Sequence, residues 1–249
     1  MSIEIFYIFL QDNILIHMNR KYFFIGFCLF LFVIQAVKAQ TAEPTISFYS
    51  SDDALVTLGV GESQNCQAPL EITFNANLKD NSGYSSKVEW RLYDEKEGVD
   101  NPILSRFEEN SKYTLDKYGA YGIVLYVTFT DNQGNTIDYE SQPIHISISE
   151  SKLSCPNGFS PNDDKINDIF EITYQSIVKL EGGIFNRWGQ KLHTFNLGNV
   201  DQGWDGYYNG KVVKDGAYFL NIQAVGSDGV KYDIKKVINV LTGFRTYEK

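Results

Sequence analysis

Residues Lys87–Tyr93 read "KVEWRLY", and the fold turns on which side of the chain Val88, Trp90 and Leu92 occupy. Alternate residues of a strand point to opposite faces, so these three project together. A tryptophan at the centre of such a strand is where an immunoglobulin-like sandwich puts its core aromatic. Comparable short runs, rich in Val, Ile, Tyr, Phe and Thr, flank it on both sides. They predict strands at Thr45–Tyr49, Leu55–Gly59, Leu70–Asn75, Tyr113–Leu115, Gly122–Thr130 and Ile144–Ser149. Asn, Asp and Gly clusters separate them, which is the spacing of an all-β sandwich. The run Asp131-Asn132-Gln133-Gly134-Asn135 predicts a hairpin turn with Gly134 available for positive φ. Seven strands between residues 45 and 149 suit one such sandwich.

The stretch "YGAYGIVLYVTFTDNQGNT", Tyr118–Thr136, resembles the penultimate hairpin of PKD-like domains, an extracellular branch of that class. The Gly-Asp-Gly expected after the Trp strand is replaced by Asp94-Glu95-Lys96-Glu97-Gly98.

A second β domain is expected from Leu153 to Lys249. It carries Asp205-Gly206, Asn209-Gly210, Asp215-Gly216 and Asp228-Gly229, four Asx-Gly turn signals within 25 residues. The runs between them are short, so a compact meander or Greek key follows. The whole chain thus reads as all-β, two immunoglobulin-like β-sandwich domains in tandem, at 40–150 and 153–249.

Four blocks of the second domain occur in order: "PNGFSPNDDKINDIFEI" (156–172), "IFNRWGQKL" (184–192), "GWDGYYNGKVVKDGAYF" (203–219) and "KVINVL" (236–241). This succession resembles the gliding-motility-associated C-terminal domain, the type B sorting domain of the type IX secretion system. The resemblance implies export through the periplasm to the cell surface or medium, with the outer-membrane secretion machinery as partner. One departure stands out: Asp163 and Lys165 replace two glycines of the family pattern.

The amino-terminal segment fits that route. Met18-Asn19-Arg20-Lys21 is a basic start, Tyr22–Val37 is mostly apolar, and Val37-Lys38-Ala39 offers a cleavage site. This is the pattern of a signal peptide over residues 1–39, its natural start at Met18. The sixteen apolar positions, interrupted by Gln35, fall short of a membrane span. The chain from Gln40 onward then holds 19 basic and 29 acidic residues, a net charge near −10, with no transmembrane span expected. So acidic a surface repels phosphate backbones and disfavours nucleic acid.

Three candidate sites arise. Arg187, Trp188, Trp204 and Tyr207 are interface-prone residue types and form a candidate docking set for a partner. Trp188 either packs over the pole of its own sandwich, near Trp204, or is displayed. The ladder Asn162, Asp163, Asp164, Asn167 and Asp168 offers oxygens at calcium-like spacing, or a solvated turn whose side chains cap backbone amides. Cys66 and Cys155, an even pair in an exported chain, could join at one sandwich pole as a disulfide closing about 90 residues. The chain-entropy model gives that bond on the order of 4 kcal/mol; the alternative is two free thiols.

No catalytic constellation is visible. His145 alternates with Ile144, Ile146 and Ile148 and so faces solvent, while His193 lies in a hairpin arm. Neither accompanies a nucleophile elbow, a zinc helix motif or a phosphate loop. The first domain therefore reads as a non-catalytic structural or adhesive module contacting surface proteins. The second reading is carbohydrate binding, with Tyr118, Tyr121 and Tyr126 against glycans.

Overall fold

The computed structural model describes residues 40–243. The signal segment expected at 1–39 lies outside the described residues. The described residues from Thr41 onward belong to one compact unit.

The first sandwich uses β1 (Thr41–Ala42), β2 (Thr45–Tyr49), β3 (Leu55–Gly59), β4 (Ser63–Cys66), β5 (Leu70–Asn75) and β6 (Leu78–Lys79), then β7 (Tyr84–Asp94), β8 (Leu104–Arg106), β9 (Asn110–Leu115), β10 (Gly119–Asp131), β11 (Thr136–Glu140) and β12 (Ile144–Ile148). One sheet runs β3-β2-β5-β9; the other runs β4-β12-β10-β7-β8, with β11 pairing β10. The alternation read at Lys87–Tyr93 holds: Val88, Trp90 and Leu92 are all buried. Trp90 meets Phe74 of the facing sheet with ring centroids 5.2 Å apart. Ile46, Ile72, Ile123, Leu125 and Phe129 complete the interior. Each such side chain contributes about 1.5–3 kcal/mol by leaving water. The β10–β11 turn forms at Asp131–Asn135, with Gly134 at φ 87°.

The second sandwich comprises β13 (Lys152–Ser154), β14 (Gly158–Phe159), β15 (Thr173–Gln175), β16 (Ile177–Phe185), β17 (Lys191–Asn196), the 3-10 turn η1 (Val200–Gln202), β18 (Tyr207–Tyr208), β19 (Lys211–Val212), β20 (Gly216–Gly226) and β21 (Lys231–Val240). Its main sheet runs β14-β21-β20-β16-β17. The opposing layer is slight: the β13–β15 ribbon, the β18–β19 ribbon, the 159–172 loop and η1. It covers one face, where Leu180, Ile184, Phe195, Leu220, Ile222 and Ile238 pack under Phe159, Phe170 and Trp204. Among the described residues the other face is open to water, with Phe219 and Val237 exposed, as a largely antiparallel sheet permits.

A serine-rich junction joins the sandwiches. Ser176, buried and at φ 47°, accepts from Ala68 N (3.2 Å) and pairs with Ser149 Oγ (2.8 Å). Ser227 Oγ donates to Ser149 O (3.0 Å), and Tyr118 N donates to Ser227 O (3.0 Å). Val178 of the second sandwich packs against the first core. Buried hydroxyls are tolerated because every one of these has a partner.

The disulfide expected between Cys66 and Cys155 is not formed; both thiols are free. Each packs against a different core. The ladder holds Cys66 opposite Ile148, and Lys236 Nζ donates to Cys155 O at 2.5 Å. Burial pushes the Cys66 thiol up to about 11 and raises that of Cys155.

Candidate functional site: an open aromatic and basic pole

The hairpin joining β16 to β17 is built around Asn186. Its Oδ1 accepts from Trp188 N and Gln190 N, both at 3.0 Å, and its own backbone N donates to Gln190 O at 3.0 Å. Gly189 supplies the positive φ, 79°, that the turn requires. Gln190 Nε2 donates to Tyr208 Oη (3.0 Å), tying the hairpin to the β18–β19 ribbon. The tip is therefore held rigidly, and it presents Trp188 with 75% of its surface exposed. Arg187 stacks on the indole, its guanidinium carbon 4.2 Å from the ring centroid.

Trp188 is thus displayed, and the packing alternative against Trp204 is overturned. Its place at the turn tip, between Asn186 and Gly189, directs the ring away from the sheet. Trp204 is the core tryptophan instead, only 1% exposed. Its ring lies 5.4 Å from Phe159 and 6.2 Å from Tyr218, and its Nε1 donates to Tyr207 O (3.0 Å). It therefore leaves the docking set and acts by holding the Tyr207 backbone. Gly203 just before it has φ 64°, and a Cβ there would collide with Ile169. Tyr207 is exposed.

The open sheet face continues the apolar surface. Phe185 pairs with Phe219, and Phe219 with Val237, so three strands contribute one transverse row. Phe219 and Val237 are exposed, and Lys191 Nζ sits 5.6 Å over the Phe185 ring. Ligand clefts typically hold roughly 300–1,000 Å³; this groove encloses about 720 Å³. Its walls include Trp188, Val212, Phe219, Arg187, Lys211 and Lys214. Asp215 lines it too, but its carboxylate accepts from Thr242 N (2.7 Å) and the Thr242 hydroxyl, which hold it below the usual carboxylate range. The groove is therefore apolar, its rim setting Arg187, Lys211 and Lys214 against the one carboxylate of Asp215.

The acidic ladder is organised differently. Asp168 Oδ1 accepts from Asn162 N and Asp163 N (both 2.9 Å), and Oδ2 accepts from Lys165 N (2.7 Å). Asp164 Oδ1 accepts from Ile166 N (2.9 Å), and Asn162 Oδ1 from Asp164 N (3.1 Å). These oxygens cap backbone amides in a tight loop. Among the described residues no three His, Cys, Asp or Glu side chains gather as a metal-holding group. The two positions where the family pattern has glycine, Asp163 and Lys165, adopt φ 60° and 66°, and Asn167 adopts 54°.

The histidines occupy unremarkable chemistry. His145 Nδ1 meets Glu95 Oε1 at 2.5 Å on the outer face. His193 stacks between Phe195 and Trp204, at 4.6 and 6.2 Å, with Nε2 buried and without a hydrogen-bond partner. Burial holds its pKa below the ordinary histidine value, against the opposing pull of Asp205. Of the tyrosines expected for glycans, Tyr121 is buried, and Tyr126 donates to Glu140 (3.1 Å) beneath Arg91. Tyr118 remains exposed.

The molecule is an all-β pair of immunoglobulin-like modules whose second sheet leaves one face uncovered. Residues 153–240 match the family model described as CHU_C Type IX secretion signal domain. That signal indicates export to the cell surface or the extracellular medium and an encounter with the secretion machinery. No curated protein matches. Solved structures are similar at low identity. Fibronectin(III)-like modules of CbhA from Clostridium thermocellum share 14% identity over 82% of this chain and 99% of theirs, TM-score 0.26. Dimeric latent PorU from Porphyromonas gingivalis shares 12% over 80% and 20%, TM-score 0.25. The Bacteroides ovatus mixed-linkage glucan utilization locus protein SGBP-B shares 11% over 72% and 42%, TM-score 0.25. No helix among the described residues is long and apolar enough to cross a membrane.

Proposed function

We propose that this chain is a non-catalytic cargo of the type IX system. Residues 1–39 serve as its signal peptide, 153–249 as its sorting domain, and 40–150 as a PKD-like structural or adhesive passenger. The observation that carries this reading is the secretion-signal match over 153–240, lying on a folded domain with a rigidly displayed Trp188. Its distinctive residues, from Phe159 to Tyr207, are far apart in sequence and meet only in the fold, so the machinery reads a surface. Arg187, Trp188 and Tyr207 are its contact residues. Deleting 153–249 from the native protein should leave 40–150 in the periplasm, soluble and folded on its own core. Surface display unchanged by that deletion overturns the assignment.

A second reading, glycan binding, draws on a cleft of about 460 Å³ between the sandwiches. Its lining holds Tyr49, Tyr174, Gln64, Asn65 and Gln67 and not one formally charged side chain, a chemistry suited to neutral sugars. A glycan array on the purified chain, with Tyr49→Ala as control, tests it; an array without signal removes it.

A further inference from the structure

The two halves of the chain differ sharply in charge. Residues 40–150 hold 18 acidic and 7 basic side chains, whereas 151–249 hold 11 acidic and 12 basic. Strand register shows where the extremes fall. The hydrogen bonds that link the sandwiches lie at the Ser176 and Ser227 end of the second sheet. β20 runs back to that end from Gly216, so the Trp188 groove lies a strand length away, roughly 35 Å for eleven residues. In the first sandwich β10 leaves the junction at Gly119 and reaches Asp131, roughly 40 Å on. Ala76 N donates to Glu109 O (3.0 Å) and Glu43 N to Asn77 O (3.1 Å), gathering the remaining loops at that same far pole. This pole carries Glu43, Asp80, Glu108, Glu109 and Asp131 against Lys79 and Arg106. Phe107, 62% exposed, precedes the exposed pair Glu108-Glu109 on the loop that leaves β8 where Arg106 stands opposite Trp90.

We propose that the basic aromatic groove of one chain receives the Phe107-Glu108-Glu109 loop of a second copy, joining chains head to tail. Once the chain has left the secretion machinery, a face displaying Trp188, Phe219 and Val237 still presents contiguous apolar surface, which folded proteins seldom leave uncovered. The loop supplies what that face lacks: an aromatic ring for the Trp188–Phe219 floor and two carboxylates for Arg187, Lys211 and Lys214. Exposed aromatic and arginine anchors inside a charged rim are the make-up of an interface centre. The contact is heterologous, so each added copy leaves one free groove and one free loop, and the series grows unless the rotation between copies closes it into a ring. Assembly of this kind is a physical basis for a structural or adhesive role.

Sedimentation velocity on the chain from Gln40 onward tests this directly and does not depend on the export reading. The wild type should form a series of species growing with concentration and dissociating toward monomer in high salt. Lys211→Glu with Lys214→Glu, and separately Glu108→Lys with Glu109→Lys, should each weaken self-association by at least about tenfold. Mixing the two variants should restore it, because each then offers the charge that the other now lacks. Circular dichroism melts equal to wild type confirm that both variants fold. A wild type monomeric at every concentration overturns the proposal. So does a closed dimer that Glu108→Lys with Glu109→Lys leaves intact, the mark of two open faces meeting each other, or a mixture that fails to reassemble.

Discussion

Two tryptophans sit 16 positions apart in the second sandwich, and replacing each by alanine should give opposite results. Trp204→Ala removes a side chain that is 1% exposed and touches Phe159, His193 and Tyr218. Large aromatic truncations in a core cost about 3–5 kcal/mol, because the cavity closes only in part. The lost Nε1 bond to Tyr207 O removes about 1 kcal/mol more. Against a domain stability of about 5–15 kcal/mol, the variant should be severely weakened. Trp188→Ala removes an indole with 75% of its surface already in water and one cation–π contact with Arg187. An exposed pair of that kind is worth about 0.5–1 kcal/mol. Urea unfolding of the chain from Gln40 onward, followed by circular dichroism, should show the transition of the second sandwich shifted strongly for Trp204→Ala and hardly for Trp188→Ala. Equal losses for the two variants, or the larger loss for Trp188, would refute the reasoning that separates core from display.

Three further outcomes follow from the geometry. Thiol titration of the denatured chain from Gln40 onward should return two free cysteines, and the native Cys66 thiol, its pKa pushed up to about 11, should alkylate slowly at neutral pH; a return of no thiols would reinstate the disulfide. Lys165→Gly should stabilise the fold by up to about 1 kcal/mol, since φ 66° burdens a side chain and suits glycine; a loss in the melt would show that Lys165 holds the loop in another way. Burial lowers the folded-state pKa of His193, so the unfolded chain takes up the proton first; stability is complete above the unfolded value, about 6.5, and falls as pH drops below it. The His193→Gln variant should flatten the decline in melting temperature between pH 7.5 and pH 5, and an unaltered slope would contradict that origin.

Strands with a clean period of two were legible: Thr45–Tyr49, Leu55–Gly59 and Leu70–Asn75 have the bounds expected of them. β4, with the sequence Ser-Gln-Asn-Cys, carries no such period; it exists because β12 offers a parallel partner, a long-range fact no local pattern encodes. The short β8 and the exposed β11 are likewise held by their neighbours. In the candidate site, composition picked out both tryptophans but could not rank their burial. A local cue was present, since Asn186 and Gly189 bracket a turn tip and a ring at a tip points outward. Trp204, by contrast, is fixed by its bridge to Phe170, a contact between distant residues. The half-covered sheet was not visible either. β20 and β21 alternate as any strand would, and only topology reveals that among the described residues Phe219 and Val237 stay exposed on that side. For the acidic ladder, spacing alone could not tell oxygens facing an ion from oxygens facing backbone amides, and the fold turns those of Asn162, Asp164 and Asp168 toward amides.

The most direct test of the central claim is the surface fraction of an inert reporter carrying a signal peptide in front and residues 153–249 behind, in a bacterium with a type IX system. The account predicts reporter outside the cell, and its retention when Trp188→Ala and Arg187→Ala are introduced into a domain whose melt is unchanged. A folded wild-type fusion that stays in the periplasm would contradict it.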